Sequence, residues 1–393
     1  MGLRNQFYLC NTYFMFNFIF RLEDQCARTL AIVLCNSTKV KNAIDEYILL
    51  TSGISLNKEM LDRIVIQSAD LSKVTTAKIL QAAILVELKH ISANIIKWIK
   101  FHILEGDPTF RLSYICWQPD GMIDDWETAQ FLLQNTRFNV TSRFLMAWIY
   151  SQIDDIERLW NQMSEQDKAK TKTIAKSPGF KYILRWFTCV SEVDKNKFWR
   201  NFEKGWLEGL FKQNEVGILK VHLDRYLPED RRNKLKSLSL GGGVSYEVFK
   251  LYLSLLDDVE KHQLVIRNLK LIIFRYLQWP LQGLFIDLVN SMKDYITEEI
   301  FYELLRYILC EKIICKIDDF DYLDVFKYLW NRSSEKEKVY AKKQRMFRYI
   351  NFLLKKDLCK LYSEFEKDVN SDPTIMAEVN EIPNPTNNIF LIS

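Results

Sequence analysis

Along residues 154 to 163 the apolar positions fall at Ile156, Leu159, Trp160 and Met163. This i, i+3, i+4, i+7 spacing gathers side chains on one face of a helix. Leu323, Phe326 and Trp330 repeat the pattern further on. Between such runs the polar positions recur as paired acids: Asp124-Asp125, Asp154-Asp155, Asp257-Asp258 and Asp318-Asp319, each behind an apolar residue. A carboxylate placed there accepts from the free N–H groups of a first helical turn, and both acids favour the positive end of the helix. The pairs are therefore read as helix starts rather than as catalytic dyads, with Asp257-Asp258 the weakest because His262 and Gln263 interrupt the pattern behind it.

A second polar phrase points the same way. Ser164 stands three residues before Asp167, Ser191 before Asp194 and Ser334 before Glu337, the spacing of a capping box or its aspartate variant. Pro228 suits a first helical turn. The acid pairs lie 30, 103 and 61 residues apart, as expected of units in the size range of two-helix repeats. These signals predict an all-α chain of stacked helical hairpins, an α-solenoid-like array with irregular repeats of about 30–38 residues. The array resembles TPR-like and HEAT-like solenoids in general plan, without their consensus signatures.

Residues 1 to 20 form an apolar N-terminal segment, 21 to 240 and 241 to 367 two helical-repeat sections joined near Gly241-Gly242-Gly243, and 368 to 393 a disordered tail rich in Pro, Asn and acids. Residues 7 to 20 are read as a packed first helix, the alternative being a targeting or anchoring segment. No small-residue cleavage site follows them. Later helices carry charges often enough that no transmembrane helix is expected.

Composition adds limits. The 48% hydrophobic content suffices for a buried core, and only 12 Gly and 8 Pro interrupt it, which favours helix. The 54 basic and 50 acidic residues leave a net +4, so bulk charge gives no strong nucleic-acid signal. Eight scattered cysteines lack the dense spacing of a disulfide scaffold, and the expected setting is a reducing one, the cytoplasm. Sequons such as Asn139-Val140-Thr141 are short enough to arise by chance and do not establish secretion.

Sites for chemistry are sparse. Asp318-Asp319 followed by Asp324 has DDx4D spacing, which resembles the long form of the magnesium-binding motif of all-helical isoprenyl diphosphate synthases. That resemblance implies carboxylates holding magnesium against a diphosphate. It covers seven residues, and no second acid-rich motif accompanies it. Gly241 to Gly243 imitate a phosphate-binding turn but lack the Lys-Ser/Thr ending of a P-loop. No HExxH, CxxC or GxSxG pattern occurs, and Cys310 and Cys315 would lie about 140° apart on one continuous α-helix. No catalytic residue, metal ligand or cofactor is assigned.

One stretch names residues. Lys338, Lys342, Arg345, Tyr349, Phe352 and Lys356 fall at alternating steps of four and three, a basic and aromatic stripe if residues 336 to 356 form a single helix. Met346, Ile350 and Leu353 would then form its packed face. The functional expectation is a non-enzymatic helical-repeat scaffold for protein–protein interaction, with this stripe meeting an acidic partner of unknown identity. The alternatives are a prenyl-synthase-like enzyme and a nucleic-acid or membrane-surface binder through the same basic stretch.

Overall fold

Helical segments, several of them begun by a side-chain cap, account for the regular structure of the described residues. The protein is described by a computed structural model over residues 20–50, 58–102, 110, 112–150, 152–174, 186 and 246–371. Among these residues the chain is all helical, with one isolated β-bridge between Trp117 and Ile123 and no strand. Described residues 22 to 174 belong to one compact unit, and residues 20, 21 and 246 to 371 to another.

The first unit holds α1 (Leu22–Cys35), α2 (Thr38–Leu50), α3 (Lys58–Ser68), α4 (Lys78–Phe101), α5 (Asp125–Gln134), α6 (Val140–Ile149), α7 (Ile153–Gln162) and α8 (Glu165–Ile174). Helix α1 packs along α4. It buries Ala27, Ala31 and Leu34, and the two alanines let the backbones approach, while α4 buries Ile84, Leu88, Ile91 and Ile95. With 24 residues, α4 is also the described helix that is long and apolar enough to cross a bilayer. Its length and composition alone give this match, since the charged side chains of residues 79 to 96 are only Glu87 and Lys89, and packed core helices share that composition.

Helix α6 is buried from Thr141 through Ile149, so its neighbours surround it. Asn139 caps it, accepting from the N–H of Thr141 at 2.8 Å. The asparagine of that sequon thus serves the helix start. On α7 the anticipated face is present: Ile156 and Leu159 are buried and Met163 follows at the helix end. Burial of each such aliphatic side chain contributes about 1.5–3 kcal/mol. Trp160 is half-buried against Phe144, with ring centroids 5.6 Å apart.

The second unit holds α9 (Tyr246–Ser254), α10 (Asp258–Arg267), α11 (Leu269–Tyr276), α12 (Phe285–Ser291), α13 (Glu298–Tyr307), a π-helix (Ile308–Ile314), α14 (Tyr322–Arg332), α15 (Glu335–Lys342), α16 (Phe347–Leu354) and α17 (Leu358–Ser371). Helix α13 packs on α11 and α15, and Phe274 stacks on Tyr307 with centroids 4.4 Å apart. Helix α14 buries Tyr322, Val325, Phe326 and Leu329, a face rotated by one position from the expected Leu323, Phe326 and Trp330. Leu323 and Trp330 are half-buried at its edges, Trp330 against Phe347. Helix α17 runs to Ser371, so residues 368 to 371, assigned by sequence to the tail, end a helix instead. Residues 1 to 19, Gly241 to Gly243, Ser191, Asp194, Pro228 and 372 to 393 lie outside the described residues.

Candidate functional site

The acid pairs serve helix starts, but not uniformly. Asp124 caps α5, accepting from the Glu127 N–H at 3.1 Å. Asp257, expected to be the weakest copy, forms a full capping box: its carboxylate takes the Glu260 N–H at 2.8 Å, and Glu260 takes the Asp257 N–H at 3.0 Å. The correction has a simple cause, because the box depends on Glu260 and not on the apolar pattern beyond it. Asp154 and Asp155 sit inside the first turn of α7 behind Gln152, and Asp155 pairs with Arg158, so this copy does not cap. Ser164 and Ser334 do cap their helices, at α8 and α15.

At Asp318-Asp319 the capping residue is Asp321, which accepts from the Asp324 N–H at 2.9 Å. Asp319 faces inward, accepting from the Tyr322 hydroxyl at 2.7 Å and from Gln282 Nε2 at 3.3 Å. Asp324 points to Lys327, 3.6 Å away. Two carboxylates of the DDx4D pattern, Asp319 and Asp324, are thus turned to different tasks, and no three His, Cys, Asp or Glu side chains among the described residues converge to hold a metal ion.

The strongly perturbed groups are internal. Burial pushes His102 down to about 3. Its Nδ1 lies 2.8 Å from the Trp98 carbonyl, which only accepts, so Nδ1 carries the proton and Nε2 accepts from the Tyr150 hydroxyl at 3.0 Å. Burial likewise raises Tyr276, Tyr307 and Tyr322, and pushes Cys35 up to about 12. These groups are built into packed interiors. The Cys315 thiol donates to the Cys310 carbonyl at 3.2 Å across the end of a π-helix, whose wider turn sequence spacing does not announce.

The stripe is divided. Helix α15 ends at Lys342 and α16 begins at Phe347, so Lys338 and Lys342 lie on one helix, Arg345 in the turn, Tyr349 and Phe352 on the next helix, and Lys356 beyond it. The premise of one continuous helix fails, and with it the shared face. Tyr349 is only 1% exposed, and its hydroxyl donates to Asp368 of α17. Phe352 is half-buried, with Lys360 Nζ 5.3 Å from its ring centroid. Lys338 lies 3.8 Å from Glu335, whereas Lys342, Arg345 and Lys356 are exposed.

What the break creates is a basic surface on two turns. Lys342, Lys343 and Arg345 surround the end of α15, while Lys355 and Lys356 surround the end of α16. Residues 335 to 360 contain nine basic and three acidic side chains, a net of +6 in a chain whose total is +4, which leaves −2 for the remainder. The acids are engaged locally: Glu335 with Lys338, Glu337 with the Ser334 N–H, and Asp357 with the Lys360 N–H. Cations at helix C-termini also oppose the helix dipole, which explains part of the clustering.

Lys356 carries a further mark. Its φ is +58°, at the end of α16, where Lys356 N–H donates to the Leu353 carbonyl and Asp357 N–H to the Phe352 carbonyl. This is a Schellman ending, at which glycine is the usual left-handed residue. Lys316, with φ +53° after the π-helix, repeats the arrangement. Sequence reasoning missed Lys343, Lys355 and Lys360 as members of this surface, while Arg348 of the same stretch pairs with Asp368 of α17. In the structure Ala341 and Met346 are both fully buried yet five residues apart, a spacing no continuous α-helix gives to one face.

No family model, curated protein or solved structure matches the chain.

Proposed function

We propose that the protein is a non-enzymatic interaction module, an irregular array of helical hairpins that receives an acidic protein segment on the basic surface of residues 335 to 360. The observation that carries this reading is the net +6 concentrated there against −2 over the rest of the chain. Lys356 stands on this surface at a left-handed position, and backbone strain of that kind clusters at functional sites. The hairpin reading draws on successive helices that pack on one another, α6 with α7 and α16 with α17. The described cysteines are free thiols, in keeping with a cytoplasmic setting.

An acidic protein segment is favoured over RNA or a membrane for two reasons. Single-stranded RNA binding draws on exposed aromatic rings, and here Tyr349 is buried and Phe352 is covered by Lys360. Membrane insertion draws on exposed apolar side chains, and Val339 is the exposed large hydrophobic residue of this stretch. The test is fluorescence anisotropy with labelled poly-glutamate, single-stranded RNA and anionic vesicles at low and high salt. Salt-sensitive binding of poly-glutamate is expected, weakened about tenfold when Lys342, Lys343 and Arg345 are changed to Glu. Stronger binding of RNA or vesicles than of poly-glutamate, or indifference to the reversal, would overturn the proposal.

A further inference from the structure

A shallow notch opens among α12, α13 and α14, with a volume of about 40 Å³ and one side open to solvent. Its floor is apolar: Val289 from α12, Phe301 and Leu304 from α13, and Leu329 from α14. One wall is fixed by the Tyr328 hydroxyl, which donates to Asn290 Oδ1 at 2.9 Å. Two exposed cations stand on its rim, Lys293 and Arg332. Elsewhere in this unit Lys261, Lys270, Arg306, Lys327 and Lys338 each meet a carboxylate. Lys293 and Arg332 form no such pair among the described residues, and Arg332 lies instead over the Tyr328 ring at 5.8 Å. The acid that lines the notch, Glu337, has its carboxylate turned to the Ser334 N–H at 2.6 Å. An apolar floor beside two exposed cations, with the one lining carboxylate already held by a backbone N–H, is complementary to an apolar side chain that arrives with carboxylates beside it.

The notch and the basic surface lie at opposite ends of α15. Ser333 and Glu337 line it, and α15 runs from there to Lys342 and Lys343. Eight helical residues cover about 12 Å at 1.5 Å each, a distance that about four extended residues span. We infer that this notch seats one apolar anchor residue of the acidic partner, three to four residues removed in sequence from the acids that meet the end of α15. The inference rests on the acidic-partner reading and specifies the partner's chemistry: an extended segment with an aliphatic residue spaced from a glutamate or aspartate run.

The probe is a labelled peptide with a short glutamate run flanked on each side, about three residues away, by leucine, compared with the same peptide carrying serine in place of both leucines. The leucine peptide should bind about tenfold tighter, the gain of burying much of one aliphatic side chain. Asn290→Trp, which fills the notch from its rim, should erase that preference. Arg332→Gln and Lys293→Gln, both at exposed positions, should weaken the leucine peptide several-fold and provide the test if Asn290→Trp does not fold. Equal affinity of the two peptides, or a preference that survives these changes, sinks the notch as an anchor site and leaves the acidic-partner reading standing. Absence of binding by either peptide at low salt overturns both.

Discussion

Arg28 Nε lies 3.1 Å from Glu87 Oε1, and the two side chains are 4% and 10% exposed. The pair joins α1 to α4 inside their packing seam, so each charge depends on the other for its loss of hydration. Removing one partner takes a buried ion-pair contact from the second, and Glu87→Leu or Arg28→Met should cost about 3–5 kcal/mol in denaturant unfolding. The double replacement should cost far less than the two together, because a well-packed apolar pair is often neutral. Strictly additive losses would show that the two charges do not act as a pair.

His102 makes stability depend on pH. Burial holds its folded pKa at about 3, below the ordinary value of 6.5, so the unfolded chain binds the proton more readily. The contribution is neutral well above pH 6.5 and turns destabilising as pH falls from there towards 3, at up to about 1.4 kcal/mol per pH unit. Between pH 7 and pH 5 the protein should lose about 2 kcal/mol through this residue. Unfolding measured at both pH values should show that slope in the native protein and a much smaller one in His102→Gln.

The capping geometry separates acids that look alike in the sequence. Asp257→Ala removes a full capping box and should cost about 1 kcal/mol. Asp154→Ala, within a turn capped from Gln152 without a side-chain bond, gives up only a dipole interaction worth about 0.3–1 kcal/mol. Helix-start positions were therefore legible from Ile-Asp-Asp and Ser-x-x-Glu phrases, since both express the same need of free N–H groups. Which acid does the capping was not, because it turns on the backbone angle of one residue. The break between α15 and α16 was hidden for a different reason: no Gly or Pro marks residues 343 to 346, and the turn is set by Ala341 and Met346 both entering the core. A single-helix projection then placed Tyr349 on the surface, when its ring packs against Phe365 of α17. The notch brings together residues as far apart as Val289 and Glu337, a proximity that no local pattern encodes.

The left-handed lysines connect stability to the proposed surface. Lys356, at φ +58°, adopts a conformation that costs a side-chain-bearing residue about 1–2 kcal/mol and costs glycine almost nothing. Glycine also has more freedom to lose from the unfolded chain, which offsets part of the gain. Lys356→Gly should therefore raise stability by about 0.5–1 kcal/mol, read from the denaturation midpoint at unchanged slope. Lys316→Gly should gain less, since its ammonium lies 5.3 Å from the centre of the Tyr362 ring and that contact is lost. If residues 335 to 360 receive an acidic segment, the stabilised Lys356→Gly protein should bind poly-glutamate more weakly at low salt, whereas Lys316→Gly, outside that stretch, should bind as the native protein does. A stabilised Lys356→Gly variant with undiminished binding would mean that the lysine is held in its strained position for reasons unconnected with an acidic partner.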